Sequence, residues 1–474
     1  MDRLFGILQN VNFQISVLAL LTIYVLFSFG LCADRYFIHP DAYYYIGISN
    51  LLTEGKIPFI DFSLGYTPLS FYLMYIPLKL LGMSFDNAII ILYTIHFVNA
   101  FILYAIFRQQ KVSLKWAWFG SLLFLMNCFV FEGLFYVLEP FVLLFGLSAL
   151  YLVQKKSSNS NLFVVGLLCA CSFLCKQYGL GFLFLTIVYV LVQRDYSKPC
   201  FKDSGYIVCG FASGLIIFVI LMMLQGVESV QMLSLSGADY EKNGLKDFLL
   251  AWVYILKRVA PFYLALFFAI WKYKRVFKDS FWLVCICGSF GFMLPCLVRF
   301  YVHYLLLALP FIVSLTIYTI NQIHNSSIRS FFILILLIST IRPVYYIAKT
   351  DRDLLYHDYR SEQKQLSSQI AKYIPKGENN VFASSRALPV SLLNIYEPPL
   401  INKYGMSNGF VTSPESVLDM LRSADYAIIT QTDLEAQKSR YIAPVINYLR
   451  SAFTCHLISC KEIQYNVYVR KNKD

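Results

Sequence analysis

The chain has 474 residues, of which 58% are hydrophobic and only 14% charged, with 35 Tyr and 41 Phe, and its mean hydropathy is +0.58. That balance excludes a soluble globular enzyme and a disordered chain alike, and leaves a polytopic membrane protein. The formal net charge of +12 would suggest a nucleic-acid partner in a soluble protein, but here the basic residues fall largely in short loops between apolar runs, where they set topology.

The first apolar run, Phe13 to Cys32, is free of charge and long enough to cross a bilayer. Arg3 precedes it and no small-residue cleavage site follows it, so it reads as a retained anchor and not as a signal peptide. Residues 33–86 then form a first external loop, the longest polar-containing interval in the first half of the chain. In it Pro40-Asp41 opens a Tyr-rich amphipathic turn, Gly55 breaks that segment, Asp61 sits beside Phe62, and Thr67-Pro68-Leu69 starts a second amphipathic run. Helices of this kind lie in the membrane interface with their aromatic side chains at headgroup level.

Further apolar runs follow at Asn87 to Phe107, Trp116 to Phe131, Pro140 to Val153, Leu162 to Cys175, Gly179 to Val192, Tyr206 to Leu224, Ala260 to Trp271, Phe281 to Val298, Tyr304 to Ile320 and Phe331 to Ile347. By length they predict about eleven crossings. With a cytoplasmic N-terminus, the inside loops hold Arg108, Lys111 and Lys115; Lys155 and Lys156; Arg194, Lys198 and Lys202; Lys272, Lys274, Arg275 and Lys278; and Arg329. Each is basic, as the positive-inside rule asks, and an odd number of crossings puts the C-terminal part outside. Nearly all of the 12 cysteines lie within apolar runs without C-x-x-C spacing and read as small buried hydrophobes. Cys455 and Cys460, outside those runs, are a pair that could form a disulfide.

From residue 349 the composition changes, and residues 349–474 are expected to be a small extracytoplasmic α/β domain following the membrane domain of residues 1–348. Helical periodicity marks RSEQKQLSSQIAKYI, Ser413-Pro414-Glu415 is a helix start, and NVFAS, DYAIIT, FTCHLIS and YNVYVRK read as strands. Rossmann, Walker and H-E-x-x-H patterns are absent, as are internal repeats.

The residues able to do chemistry are the charged ones placed at the outer ends of crossings, where charge is costly. Glu139 precedes Pro140 at the entry to the fourth crossing, Lys176 ends the fifth in SFLCKQYGLGF, and Arg299 and His303 lie in RFYVHY between the ninth and tenth. Asp41 and Asp61 join them from the external loop. Each has a simpler reading: Glu139 as a helix-start acid favoured by the macrodipole, Lys176 as a snorkelling lysine, Arg299 and His303 as interface anchors, and the two aspartates as solvated loop acids. Their common sidedness weighs against taking each alone.

In this order the motifs resemble the polytopic GT-C glycosyltransferases, which include the protein O-mannosyltransferases and the lipid A aminoarabinose transferases. The matching residues are Asp41, Gly55, Asp61-Phe62 and Pro68-Leu69 in the first loop, then Glu139-Pro140, LLCACSFLCKQYGL and RFYVHYLLLALP. The chain departs from the pattern in having Asp41-Ala42 where many members have Asp-Glu.

The resemblance implies an α-helical polytopic membrane enzyme, multi-pass in a bacterial inner (cell) membrane. It would move a sugar from a polyprenyl-phosphate donor to a lipid, glycan or protein acceptor at the extracytoplasmic face, with no nucleic-acid partner. Asp41 would be the base, with Asp61 and Glu139 as further catalytic acids. Lys176, Arg299 and His303 would hold the donor phosphate. A divalent metal is possible on the acids, although the cationic set makes one dispensable. The alternative class is a transporter or flippase of lipid-linked oligosaccharide, which would carry charge at mid-membrane depth and show repeated halves. A sensor or scaffold without chemistry would leave the clustering of charges unexplained.

Overall fold

Long runs of Leu, Phe, Ile and Val can satisfy their backbone in lipid only through intrahelical hydrogen bonds. In the computed structural model, the apolar runs between 13 and 224 and between 281 and 347 coincide with helices. The structure describes residues 10–32, 40–53, 55–61, 64, 66–82, 85–131, 133, 136–155, 158–193, 198–228, 249, 252–253, 259–264, 267, 279–298, 302–356, 365–366, 368–375, 381–383, 414–431, 434, 443–460 and 463–471. The run from Ala260 to Trp271 therefore lies largely outside the described residues.

The helices are α1 (Val11–Cys32), α2 (Pro40–Thr53), α3 (Leu69–Leu81), α4 (Phe85–Gln109), α5 (Leu114–Cys128), α6 (Glu139–Val153), α7 (Asn159–Cys175), α8 (Leu180–Gln193), α9 (Lys198–Leu224), α10 (Ser280–Gly291), the short α11 (Pro295–Val298), α12 (Leu305–Gln322) and α13 (Ser326–Tyr356). Among the described residues four stretches are long and apolar enough to cross a membrane: Val11–Ser28, Asn87–Gln109, Cys200–Leu224 and Val302–Gln322. Six more apolar helical stretches, including α6, α7 and α10, have only 10–17 residues. The protein is an integral membrane protein.

By internal packing the chain divides into two units: residues 1–31, 90–220 and 242–352 form the first, and residues 32–89, 221–241 and 353–474 the second. Within the first, α12 is almost wholly buried from Leu305 to Leu315. Helices α7 and α9 touch backbone to backbone, because Gly166-x-x-x-Ala170 on one faces Gly210-x-x-x-Gly214 on the other. A Cβ at Gly166 would collide with the carbonyl of Ile207, and one at Gly210 with the carbonyl of Phe163. Small residues at such spacing are how helices pack where no hydrophobic effect drives them together.

The second unit holds the paired helices α2 and α3 and a four-stranded sheet, in the order β1 (Val381–Ala383), β2 (Tyr426–Thr430), β4 (Ile463–Arg470), β3 (Phe453–Cys460). The β1–β2 pair is parallel; β2–β4 and β4–β3 are antiparallel. All five residues of β2 are buried, because both faces of the sheet are covered. Leu366, Ile370 and Ile374 pack on Val381, Ile428 and Val467 on one face. On the other, Val417 and Leu421 of α14 (Pro414–Ser423) and Val445 and Leu449 of α15 (Ala443–Ala452) pack on Ala427 and Ile429.

The end of β4 ties both helices to the sheet. Arg470 donates to the carbonyls of Leu421, Arg422 and Ala424 at the end of α14, and Lys471 to those of Arg450 and Ser451 at the end of α15. A Cys455–Cys460 disulfide is ruled out by β3 itself. Five strand positions separate their backbones by roughly 16 Å, well beyond the reach of a bridge. Cys455 is a free thiol.

Candidate active site

The site is built on three chain reversals of the first unit. At the first, Leu138 precedes α6, Glu139 is the first helical residue and Pro140 follows in the first turn, where a missing N–H costs nothing. At the second, α7 stops at Cys175, Lys176 turns extended, and Gln177–Gly179 make a 3-10 turn into α8. Only glycine fits at 179, since a Cβ there would strike the carbonyl of Ser172. The third is the 3-10 turn Val302–Tyr304 that leads into α12.

These reversals bring together Glu139, Lys176 and His303, which are 0%, 2% and 2% exposed. The Lys176 amine lies 2.5 Å from Oε1 of Glu139, and Nε2 of His303 lies 4.0 Å from the same oxygen. The second oxygen, Oε2, is buried and has no hydrogen-bond partner among the described residues. The amine also sits 4.9 Å from the ring centre of Tyr304 and 5.6 Å from that of Tyr178. The two rings meet edge to face at 5.1 Å. A lysine buried this deeply is tolerable only with an anion and polarisable faces around it.

Three polar side chains from neighbouring helices hold the Glu139 turn. From α4, His96 bonds the carbonyl of Gly133 through Nε2 at 2.8 Å, and Asn99 donates to the carbonyl of Pro140 at 2.9 Å. From α7, Ser172 donates to the carbonyl of Val142 at 2.9 Å. The sequence reading did not single out these residues. Their signal was polarity inside an apolar run, with His96 and Asn99 three residues apart and hence on one helix face.

Next to the charged cluster, α8 and α10 border a groove with a cavity of ≈ 550 Å³. Its lining is mainly apolar, including Phe184, Leu185, Cys287 and Phe292, while Gln177 and Tyr178 supply the residues next in sequence to Lys176.

Of the other sequence candidates, Asp61 is exposed and its carboxylate accepts the Ile57 N–H at 2.7 Å, closing a turn in its own loop. Asp41 lies in the first turn of α2, with its side chain outside the described residues, as is all of Arg299. Among the described residues no group of three or more His, Cys, Asp or Glu could hold a metal ion.

Neither a protein-family model nor a curated protein matches the sequence. The backbone does have counterparts. The crystal structure of the aminoarabinose transferase ArnT from Cupriavidus metallidurans bound to undecaprenyl phosphate superposes with a TM-score of 0.64 at 12% identity, covering 96% of this chain and 98% of that one. The chain has the fold of the GT-C glycosyltransferases. The apo form of the same ArnT gives 0.63. The archaeal oligosaccharyltransferase AglB from Archaeoglobus fulgidus, in complex with an inhibitory peptide and a dolichol-phosphate, gives 0.53 at 11% identity over 98% of this chain and 75% of that one. At such identities the shared property is the GT-C fold itself, so side-chain roles rest on this chain's own geometry.

Proposed function

We propose that the protein is an inverting glycosyltransferase of the extracytoplasmic membrane face, moving a sugar from a polyprenyl-phosphate donor to a lipid, glycan or protein acceptor. The observation that carries this reading is the buried Lys176 amine, held by Glu139 and two tyrosine rings, beside an apolar groove in a GT-C fold. A polyprenyl phosphate has the matching form: an anionic head for the cation and an isoprenoid tail for the groove.

In the reaction the bond between the anomeric carbon and the phosphate oxygen breaks, and its electron pair leaves with the phosphate. The acceptor oxygen forms the new bond from the opposite face, and its proton passes to Asp41 as general base. Direct displacement inverts the anomeric centre. Charge that grows on the leaving phosphate is met by Lys176, with Arg299 and His303 as the further cations. A divalent ion is a poor fit at Glu139, because it would compete with an ammonium already on that carboxylate. The N-terminus is assigned to the cytoplasm and the C-terminus to the outside, on the basic loops.

The test is to incubate the purified protein with a panel of polyprenyl-phosphate sugars and an acceptor extract, with and without chelator. Release of free polyprenyl phosphate with inverted product is expected, and unchanged by chelator. Donors left intact while vesicles move lipid-linked sugar across the bilayer would replace the reading with a flippase.

A further inference from the structure

His96 and Asn99 lie close to the middle of the apolar stretch Asn87–Gln109, and both are fully buried. Polar side chains at such a position are expensive unless they serve a purpose, and these two serve the turn that carries Glu139. The turn between α5 and α6 is irregular backbone, and irregular backbone at membrane depth survives only where protein groups satisfy it. His96 bonds Gly133 O in the turn itself, while Asn99 and Ser172 add second donors to Pro140 O and Val142 O in the first turn of α6.

The helix lengths agree. Nine residues of α4 separate Asn87 from His96, about 13 Å at the helical rise. The helices on either side of the turn, α5 and α6, have 15 residues each, about 22 Å and short of a ~30 Å hydrocarbon core. Because a carbonyl must be met by a donor, His96 carries its hydrogen on Nε2, and Nδ1 is buried without a partner among the described residues.

We infer that His96 and Asn99 are positioning residues: they fix the Glu139 turn roughly 8–13 Å, about one and a half to two and a half helical turns, below the membrane surface, and so set the depth at which Lys176 is presented to the donor's phosphate. This rests on the transferase reading for its consequence, but not for its geometry. The sugar–phosphate junction must then be drawn into the protein below headgroup level, with the groove between α8 and α10 taking the tail.

The experiment compares wild type with His96→Phe, His96→Gln and Asn99→Leu in nanodiscs. The glutamine amide reaches the Nε2 position and restores the donor; phenylalanine fills the space without it. Amide exchange of Gly133, Phe141 and Val142 should quicken roughly tenfold in His96→Phe and Asn99→Leu, the factor one buried hydrogen bond provides, and stay near wild type in His96→Gln. Saturated turnover should fall by a similar roughly tenfold factor or more with donor affinity unchanged, and return with glutamine. Unchanged exchange at the turn, or exchange quickened equally throughout the unit, overturns the assignment, as does full turnover in a variant whose turn has loosened. Should wild type release no lipid phosphate from any donor, the transferase reading falls, and the exchange pattern alone then decides whether these residues hold the turn.

Discussion

Removing the Lys176 charge should destabilise the membrane unit more than removing the Glu139 charge, and the two losses should not add. In Lys176→Met the carboxylate stays fully buried with His303, among the described residues, 4.0 Å away, and an anion that has lost its ammonium costs about 3–5 kcal/mol. Glu139→Gln keeps an oxygen that can accept from the amine, and the faces of Tyr178 and Tyr304 remain in place. Its cost is that of an ion pair reduced to an ammonium–amide hydrogen bond, softened by the two ring faces, about 2 kcal/mol. The double variant buries neither charge, so its cost should fall short of the sum by about 2–3 kcal/mol. Unfolding of the four proteins in mixed detergent micelles measures the cycle. Because the pair is buried, the coupling should be the same in low and high salt. Additivity within about 0.5 kcal/mol, or a coupling that salt abolishes, would refute the buried pair.

Asp41→Asn should lower single-turnover transfer by roughly two to four powers of ten while donor affinity survives; near-normal turnover would remove Asp41 as the base and make Glu139 the next candidate. A reporter active only outside the cytoplasm should work when fused after Tyr346 or at Asp474 and stay silent near Lys156 or Lys274, and the opposite pattern would invert the orientation. Residues 351–474 made alone in an oxidising compartment should be soluble, folded and without transferase activity, judged by circular dichroism and the donor assay. Within that segment Arg470→Ala should cost about 1–3 kcal/mol in urea unfolding, because it strips the donors from three carbonyls at the end of α14.

Much of the fold was legible because two periodicities dominate it. The uninterrupted apolar runs have no other option in lipid than helix, and they coincide with α1 and α4–α10, α12 and α13. Four strand-like runs near the C-terminus overlap β1–β4 because β-branched and aromatic residues cluster in them. Crossing counts are less legible, since α6, α7 and α10 are short and length alone does not say whether such a helix spans or stops inside. At the site, charge inside apolar sequence pointed to Glu139, Lys176 and His303, but not to their sharing one carboxylate oxygen. That is a long-range contact, 37 residues apart for the lysine, and no local pattern encodes it. His96 and Asn99 went unread because they lie inside an apolar run and not at its outer end, and a lone polar residue in a helix is usually satisfied by its own backbone, as Ser121 is by Ala117.

A buried lysine–glutamate pair is at best near break-even for stability, since desolvation offsets most of the attraction. Here His96, Asn99 and Ser172 are further committed to holding the backbone that presents it. A hydrophobic filling of the same volume would be simpler and as stable, so stability does not account for the arrangement. On the proposed reading it is explained by exchange of anions. An incoming phosphate can take the Lys176 amine from Glu139 without leaving that lysine uncompensated at any stage, and His303, already 4.0 Å from the same oxygen, is placed to keep the released carboxylate company. The buried cluster is thus charged for a donor before the donor arrives, and the cost of desolvating the cation falls on folding and not on binding.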